Sequence, residues 1–345
     1  MDVYLLDSDL QERAVVDVFA SLIWTKRYYT YGDFELYVPA SEDLTAALNN
    51  CPYVMRDDDE SIMIIENVRI STDVENGDYY TITGRSLGSI LTRRVVWEQT
   101  NLSVNDPAQA VYTLLEENVT NPADEARQII EFMVDDSFSA IGSLKMQITG
   151  TELAEAITNI CKPYGIGWKV TRGDSGKMVF ALYQRGAVDV TFSPEFDNLI
   201  SSQYYQNSEA FKNVALVAGE GEGTARRRYT VEADPTAEGP NRREVYIDAR
   251  DISSNDGEIP DTDYNALLAT RGEQKLLEEN AETHGFEGEI EPNTTYQYKR
   301  DYDLGNIVTV ANGYGVTATP RIIEIIECWN EEGYSVVPTF ETWEV

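Results

Sequence analysis

The chain is short of the residues that most metal and acid–base chemistry uses. It has a single histidine, His284, in 345 residues, and one histidine cannot build a histidine-based metal site alone. Its cysteines, Cys51, Cys161 and Cys328, are far apart, odd in number and in no CxxC pair. That pattern argues against a disulfide framework or a zinc ribbon and leaves buried free thiols as the expectation. No apolar run approaches a membrane span, Ser61-Ile-Met-Ile-Ile65 being strand-sized, so no membrane insertion is expected. The N-terminus, Met-Asp-Val-Tyr-Leu-Leu-Asp, lacks the basic region of a secretory signal, and folding in a cytoplasm is expected.

Basic residues are scarce as well, lysine above all. There are 27 Lys and Arg against 60 Asp and Glu, a formal net charge of −33. A protein that grips nucleic acid must neutralise phosphates with Lys and Arg, so this balance argues against one. Two readings of the acidity stay open. One is a self-repelling surface that keeps the protein soluble or suits a salty habitat. The other is an acidic channel wall, which repels passing phosphates weakly everywhere and traps them nowhere.

What is present is enough for packed domains. Hydrophobic residues make up 42% of the chain, which excludes a disordered polymer, and its length exceeds one comfortable core. Residues 1–100 read as short strands: Val3 to Leu6, Val15 to Trp24, Asp33 to Val38, Ile62 to Ile70 and Tyr79 to Thr83. A helix at Ser41 to Asn49 interrupts them, with Ser41 as N-cap. This texture predicts a small, bent antiparallel barrel. Residues 101–187 read as an α+β domain. Asp106-Pro107 caps a helix with Ala108, Val111, Tyr112 and Leu115 on one stripe. A second helix from Thr151 carries Leu153, Ala156, Ile157 and Ile160. A hairpin follows, its strands flanking the turn Gly173-Asp-Ser-Gly176.

Strands return at Val188 to Phe192, Leu199 to Gln206 and Asn213 to Ala218. With the segment from Thr294 to Phe340 they predict a second barrel, made of 188–219 and 285–345. Residues 220–284 between them read as a polar excursion, with at most a hairpin near Val245-Tyr-Ile247. A helix at Asp263 to Asn280 closes it, placing Tyr264, Leu268, Gly272 and Leu276 on one face. The fold class is therefore mainly β, two small antiparallel barrel-like domains with an intervening α+β domain.

Each candidate for chemistry has a structural reading beside it. Gly84-Arg-Ser-Leu-Gly88 fits the G-x-S-x-G nucleophile elbow, and a triad would need His284. The surrounding strands are hairpin-linked rather than joined by crossover helices, so Ser86 is read as N-cap of a helix at Leu87 to Arg94. Gly219-Glu-Gly-Glu-Gly223 lacks the Lys-Ser/Thr of a phosphate loop, and its glutamates would repel phosphate. Asp57-Asp-Asp-Glu60 lacks the spacing and glycine of an EF-hand and reads as a solvated turn. His284, before Gly285, reads as a helix C-terminal residue. No catalytic, cofactor-binding or metal-binding residue is singled out, and no cofactor is expected. Tyrosine is abundant, with clusters at Tyr28, Tyr29 and Tyr31, at Tyr204 and Tyr205, and at Tyr296, Tyr298 and Tyr302. Protein interfaces and half-buried barrel positions explain these equally well.

The two ends of the chain carry the most. Trp24 to Pro39 reads as one β-hairpin, with Phe34, Leu36 and Val38 on one face and Glu35 and Tyr37 on the other. Asp301 to Val310 and Arg321 to Glu327 read as two further strands joined by a Gly-rich turn at Asn312 to Gly315. Together with Gly84 to Val95, Asn213 to Arg226 and Val337-Pro-Thr-Phe340, and in this order, these segments resemble the siphophage tail-tip proteins related to the baseplate hub of contractile tails. The resemblance covers most of the chain and is weak from Asn101 to Arg185.

The resemblance implies a structural virion protein, not an enzyme: a homotrimer at the distal end of a phage tail. It would join the tail tube or distal tail ring to a central tip or spike, meet the tape measure protein, and pass DNA without specific binding. A prophage or phage-derived particle fits equally. A receptor- or carbohydrate-binding tail-tip module and a tail-associated hydrolase are the alternatives. Lytic or adhesive modules of relatives follow the barrel-closing strands, and none is expected before Val345.

Overall fold

The computed structural model describes residues 1–74, 77–173, 176–278, 281, 283–290, 296–315 and 317–341. The turn residues Asp174 and Ser175, the expected helix end at Asn280 and the expected strand start at Thr294 lie outside the described residues. The first block holds β1 (Val3–Leu6), β2 (Glu12–Val16), β3 (Ser21–Arg27), β4 (Asp33–Pro39), α1 (Glu42–Leu48), β5 (Tyr53–Arg56), β6 (Ile62–Asp73) and β7 (Gly77–Ser86). The second holds β8 (Thr100–Val104), α2 (Pro107–Leu115), β9 (Phe132–Asp135), β10 (Leu144–Ile148), α3 (Leu153–Cys161), β11 (Gly167–Arg172) and β12 (Met178–Tyr183). Then come β13 (Ala187–Phe192), β14 (Leu199–Asn207), β15 (Val214–Ala218), β16 (Arg228–Glu232), β17 (Glu244–Asp248) and α4 (Asp261–Glu278). The last strands are β18 (Thr283–Ile290), β19 (Ile307–Ala311), β20 (Thr317–Ala318), β21 (Ile322–Asn330) and β22 (Gly333–Phe340).

The chain is mainly β, a half-barrel sheet with small helical insertions. Eleven strands form the sheet in the order β14-β18-β22-β21-β3-β4-β7-β6-β5-β1-β2. The β3–β4 hairpin follows from its alternation: Leu22 faces Leu36, Trp24 faces Phe34, and Leu22, Trp24, Phe34, Leu36 and Val38 are buried. Pro39 ends β4 because it has no N–H to donate to a ladder. Strands from the two ends of the chain meet at the β3–β21 pair, in the register Trp24 to Glu327 and Lys26 to Ile325. The two halves therefore share one sheet, while each keeps a core of its own.

Local signals in the helices hold. The Ser41 hydroxyl accepts from the Leu44 N–H at 3.1 Å, and the Asp106 carboxylate accepts from the Ala108 N–H at 2.9 Å. On α3, Leu153, Ala156, Ile157 and Ile160 are buried together. They share one core with Leu6, Ile62, Ile64 and Leu87 of the first block, so the α+β insertion packs on the back of the large sheet.

Several expectations need correction. Val15 to Trp24 is two strands, because the chain turns between β2 and β3 and pairs them with different partners. Of Asp301 to Val310 only the end from Ile307 is a strand; its ladders are to β13 and β20, and it meets the start of β21 at the single bridge Ile307 to Arg321. Residues Val214–Ala218 leave the second barrel: β15 is the centre of a small sheet, antiparallel to β16 and parallel to β17. Val245-Tyr-Ile247 is therefore one strand of a parallel pair and not a hairpin. The face of α4 with Tyr264, Leu268 and Leu276 covers that sheet, and a side chain at Gly272 would press on Val217 and Val231. The polar composition of 220–263 hid this core because only one face of a small sheet is apolar.

Two more corrections concern Ser86 and His284. Leu87–Arg93 is a 3-10 segment, and the Ser86 side chain does not cap it. Its hydroxyl instead accepts from the Gly32 N–H at 2.9 Å while Ser86 N–H donates to the Gly32 carbonyl at 2.8 Å, tying β7 to the β3–β4 turn. His284 sits in β18, not at a helix end, with its Nδ1 2.6 Å from the Tyr204 hydroxyl.

The glycine that opens the elbow-like motif has a steric role. A Cβ at Gly84 would overlap the Ile64 carbonyl oxygen of the neighbouring strand, beside the irregular register at Ile65 to Asn67. Gly84→Ala is expected to destabilise the protein by about 1–3 kcal/mol, the usual cost of overpacking. Urea denaturation measures it, and an unchanged midpoint would contradict this packing.

Candidate functional site

The junction of the two halves concentrates the buried charge of the molecule. Arg56 ends β5 on the same inward face as Val54, and its side chain is fully buried. Its Nη1 and Nη2 donate to the Glu327 carboxylate of β21 at 3.1 and 3.3 Å. Its Nε and Nη2 donate to Asp58 at 2.8 Å each. Glu327, 1% exposed, also accepts from the Tyr334 hydroxyl at 2.9 Å. Asp59 binds Lys26 Nζ at 2.6 Å and Lys299 Nζ at 3.2 Å. The guanidinium of Arg56 lies 4.1 Å from the Trp329 ring centre, whose other neighbour is Tyr334 at 4.8 Å. Isolated charges of this kind would be costly to bury; here each has an opposite partner and hydrogen bonds.

Asp57-Asp-Asp-Glu60 is thus a turn whose acids serve this network, with Asp58 and Asp59 turned to cations of the protein itself. Burial alone would raise the Asp59 pKa, but Lys26, Lys299 and the hydrogen bond from Ser61 outweigh it and hold the carboxyl below its ordinary value. Sequence reading missed the network, although a signal was present. Strand alternation puts Arg56 beside Val54 and Glu327 beside Ile325 on inward faces, and a charge at an inward position asks for a partner.

The second element of the junction is the β3–β4 turn. Tyr28 and Tyr29 are buried. The Tyr29 carbonyl accepts from Trp168 Nε1 at 2.6 Å and Thr158 Oγ1 at 2.7 Å, both in the α+β insertion. The Tyr29 hydroxyl donates to Glu341 at 3.0 Å, and Tyr28 N–H donates to the Ile323 carbonyl at 2.8 Å, both near the C-terminal end. Tyr28 Oη donates to the Gly165 carbonyl at 3.0 Å. These tyrosines bind parts of one chain together. Tyr302, also buried, does the same inside the second half.

Between the insertion and the two halves lies a cleft of about 610 Å³. Its charged walls are paired across it: Lys169 with Glu60 at 2.6 Å and Arg185 with Asp303 at 2.7 Å. Ser86 lines the cleft, held by Gly32, while His284 lies in β18 with four strands of the sheet between it and β7. The structure does not bring them together as a nucleophile and base. Glu220 of the glycine-rich turn accepts from the Ser254 N–H at 3.0 Å and from Arg227 Nη1 at 3.3 Å. Among the described residues no three metal-ligating side chains converge. What the site does chemically is to lock three parts of one chain in a fixed register.

The model of the Siphovirus ReqiPepy6 Gp37-like protein family matches residues 2–340. The chain belongs to this family. No curated protein matches it. Among solved structures it is similar to a tail protein from Neisseria meningitidis MC58, at 13% identity and a TM-score of 0.56, covering 99% of this chain and 96% of that one. It is similar to the 43 kDa tail protein of prophage MuSo2 from Shewanella oneidensis, at 12% identity, TM-score 0.56, and coverage of 99% and 98%. A PdpA–VgrG complex shares the fold at 9% identity and a TM-score of 0.51, covering 99% of this chain and 64% of that one. This Gp37-like chain shares the fold of these two tail proteins.

Removing one partner of a buried pair strands the other. Glu327→Ala is expected to cost at most about 3–5 kcal/mol, because Arg56 loses its buried carboxylate and keeps the half-exposed Asp58, and the double change Arg56→Met with Glu327→Leu to recover most of it. Chemical denaturation of the two variants beside the wild type checks this, and equal losses in single and double variants would refute it. Asp59 adds a pH signature. Its folded pKa is depressed, so its stabilisation is complete above the unfolded carboxylate range near pH 4 and declines as pH falls below it. Asp59→Asn is expected to flatten the stability profile below pH 4, and an unchanged acid slope would exclude this role.

Proposed function

We propose that this tail protein is a trimeric hub at the distal end of the tail. It joins the tail tube or distal tail ring to a central tip or spike, meets the tape measure protein and forms part of the DNA ejection channel. The single observation that carries this reading is the shared sheet. Two hairpins, β3–β4 from one half and β21–β22 from the other, stand side by side in one half-barrel, so one subunit offers two similar strand sets to a ring. Three such subunits offer six strand sets on one side and three-fold symmetry on the other, which suits a part that reconciles two symmetries. The fold shared with a VgrG complex supports a spike-facing partner.

In this reading 1–100 is one hub half, 101–187 the α+β spacer, and 188–213 with 285–345 the other half. Residues 214–284, which now include β15, form an inserted unit. The protein works without catalysis: Ser86 is a structural hydroxyl, and the acidic wall keeps DNA moving. Phosphate attraction at any one point would slow passage, and a chain of net charge −33 offers little of it.

Static light scattering tests the reading directly. A mass of three chains is expected, and a strictly monomeric protein at all concentrations would refute it. Two further outcomes are expected. A serine-reactive phosphonate leaves Ser86 unlabelled, and the protein retains no duplex DNA in filter binding at moderate salt. Labelling that disappears in Ser86→Ala would restore a hydrolase, and salt-sensitive DNA retention would remove the conduit.

A further inference from the structure

Among the described residues, two long strand edges of the large sheet pair with no further strand. The first is β14, the terminal strand, whose ladder there is to β18. Its nine residues, Leu-Ile-Ser-Ser-Gln-Tyr-Tyr-Gln-Asn, include no charged side chain, in a chain that is 25% charged. The second is the outer half of β6. β5 reaches only Ile62 to Ile64, and among the described residues no strand pairs with the edge from Glu66 to Thr72 on that side. Val68 and Ile70 there are 44% and 53% exposed, although they stand opposite the buried Ile82 and Tyr80 of β7. They continue the apolar face of the first core outward into solvent.

Unpaired edges are sites of self-association, and folded proteins blunt them with charges, bulges or short length. The other terminal strand follows that rule: β2 is five residues long and carries Glu12 and Arg13. β14 does not. At about 3.3 Å per residue it spans about 30 Å, and the unpaired stretch of β6 about 23 Å. The two edges also belong to opposite halves of the chain.

We propose that β14 of one copy adds as a strand to the free edge of β6 in the next copy, closing the ring head to tail. This names the contact for the trimeric reading above and rests on it. Charge selects the pair: two surfaces of an acidic protein repel unless one of them is uncharged, and β14 offers nine neutral residues and a row of main-chain hydrogen bonds. Shape agrees, since Tyr204 packs against the second core and pairs opposite Phe286. Its face of β14 would meet Val68 and Ile70 of the neighbour and cover them. A head-to-tail contact between different edges closes into a ring, whereas pairing β14 with itself would stop at a dimer.

Disulfide trapping tests it, in a Cys328→Ser background. Chains carrying Gln203→Cys with Ser71→Cys, or Gln203→Cys with Arg69→Cys to allow for register, are oxidised and run on denaturing gels. At least one double variant is expected to form a covalent ladder ending at three chains, and each single variant to stay monomeric on the gel. Dimers from Gln203→Cys alone would overturn the proposal in favour of like-with-like pairing. A wild-type trimer by light scattering with no ladder from either pair would overturn it while leaving the trimeric reading intact. A wild-type monomer would sink both.

Discussion

The fold depends on the pairing of β3 with β21, which brings residues about 300 positions apart into one ladder. Closing so long a loop is entropically cheap in increment, because the cost grows only with the logarithm of its length. The harder problem is register. A slip of one residue would turn Glu327 to the outer face and leave Arg56, fully buried, with Asp58 but without its buried carboxylate. The ion pair thus adds little net stability against an apolar alternative but penalises each wrong register heavily. Its stacking against Trp329 and the hydrogen bond from Tyr334 add to that penalty, since both come from the β21–β22 hairpin.

Given that register, the β3–β4 turn becomes the point to which everything else is fastened. The insertion reaches it through Trp168 and Thr158, and the C-terminal end through Ile323 and Glu341. Glycine serves this crowding. Side chains at Gly167 or Gly305 would collide with the Tyr28 ring, so these backbones approach the tyrosine directly. A turn that would be a mobile surface loop in an isolated hairpin is a buried keystone here, and local strain in it would reach all three parts.

Elements whose signal is local were legible in the sequence. The hairpin at Trp24 to Pro39 shows in its alternation, and the caps at Ser41 and Asp106 in the chemistry of their side chains. The α4 stripe at Tyr264, Leu268, Gly272 and Leu276 also matches the buried face. Partners distant in sequence were not legible. Val214–Ala218 reads as a strand in any context, and nothing in it says whether it joins the large sheet or β16 and β17. Ser86 has the residue type of a cap but spends its hydroxyl on Gly32, a tertiary neighbour. Of the junction, the Asp57 to Glu60 turn was recognised as a turn, while its partners Lys26 and Lys299 come from opposite ends of the chain.

The same logic bears on assembly. Most lysines and arginines have a carboxylate of this chain within 4.0 Å, several of them at the junction. The scarce cations are spent inside the subunit, and the surplus of acid is left to the surface. Copies of such a subunit repel one another over most of their area, most strongly at low salt, where screening reaches furthest. Charge complementarity is therefore a poor basis for their contact. Main-chain hydrogen bonding along an uncharged strand such as β14 escapes the repulsion and needs no side-chain match between the two halves.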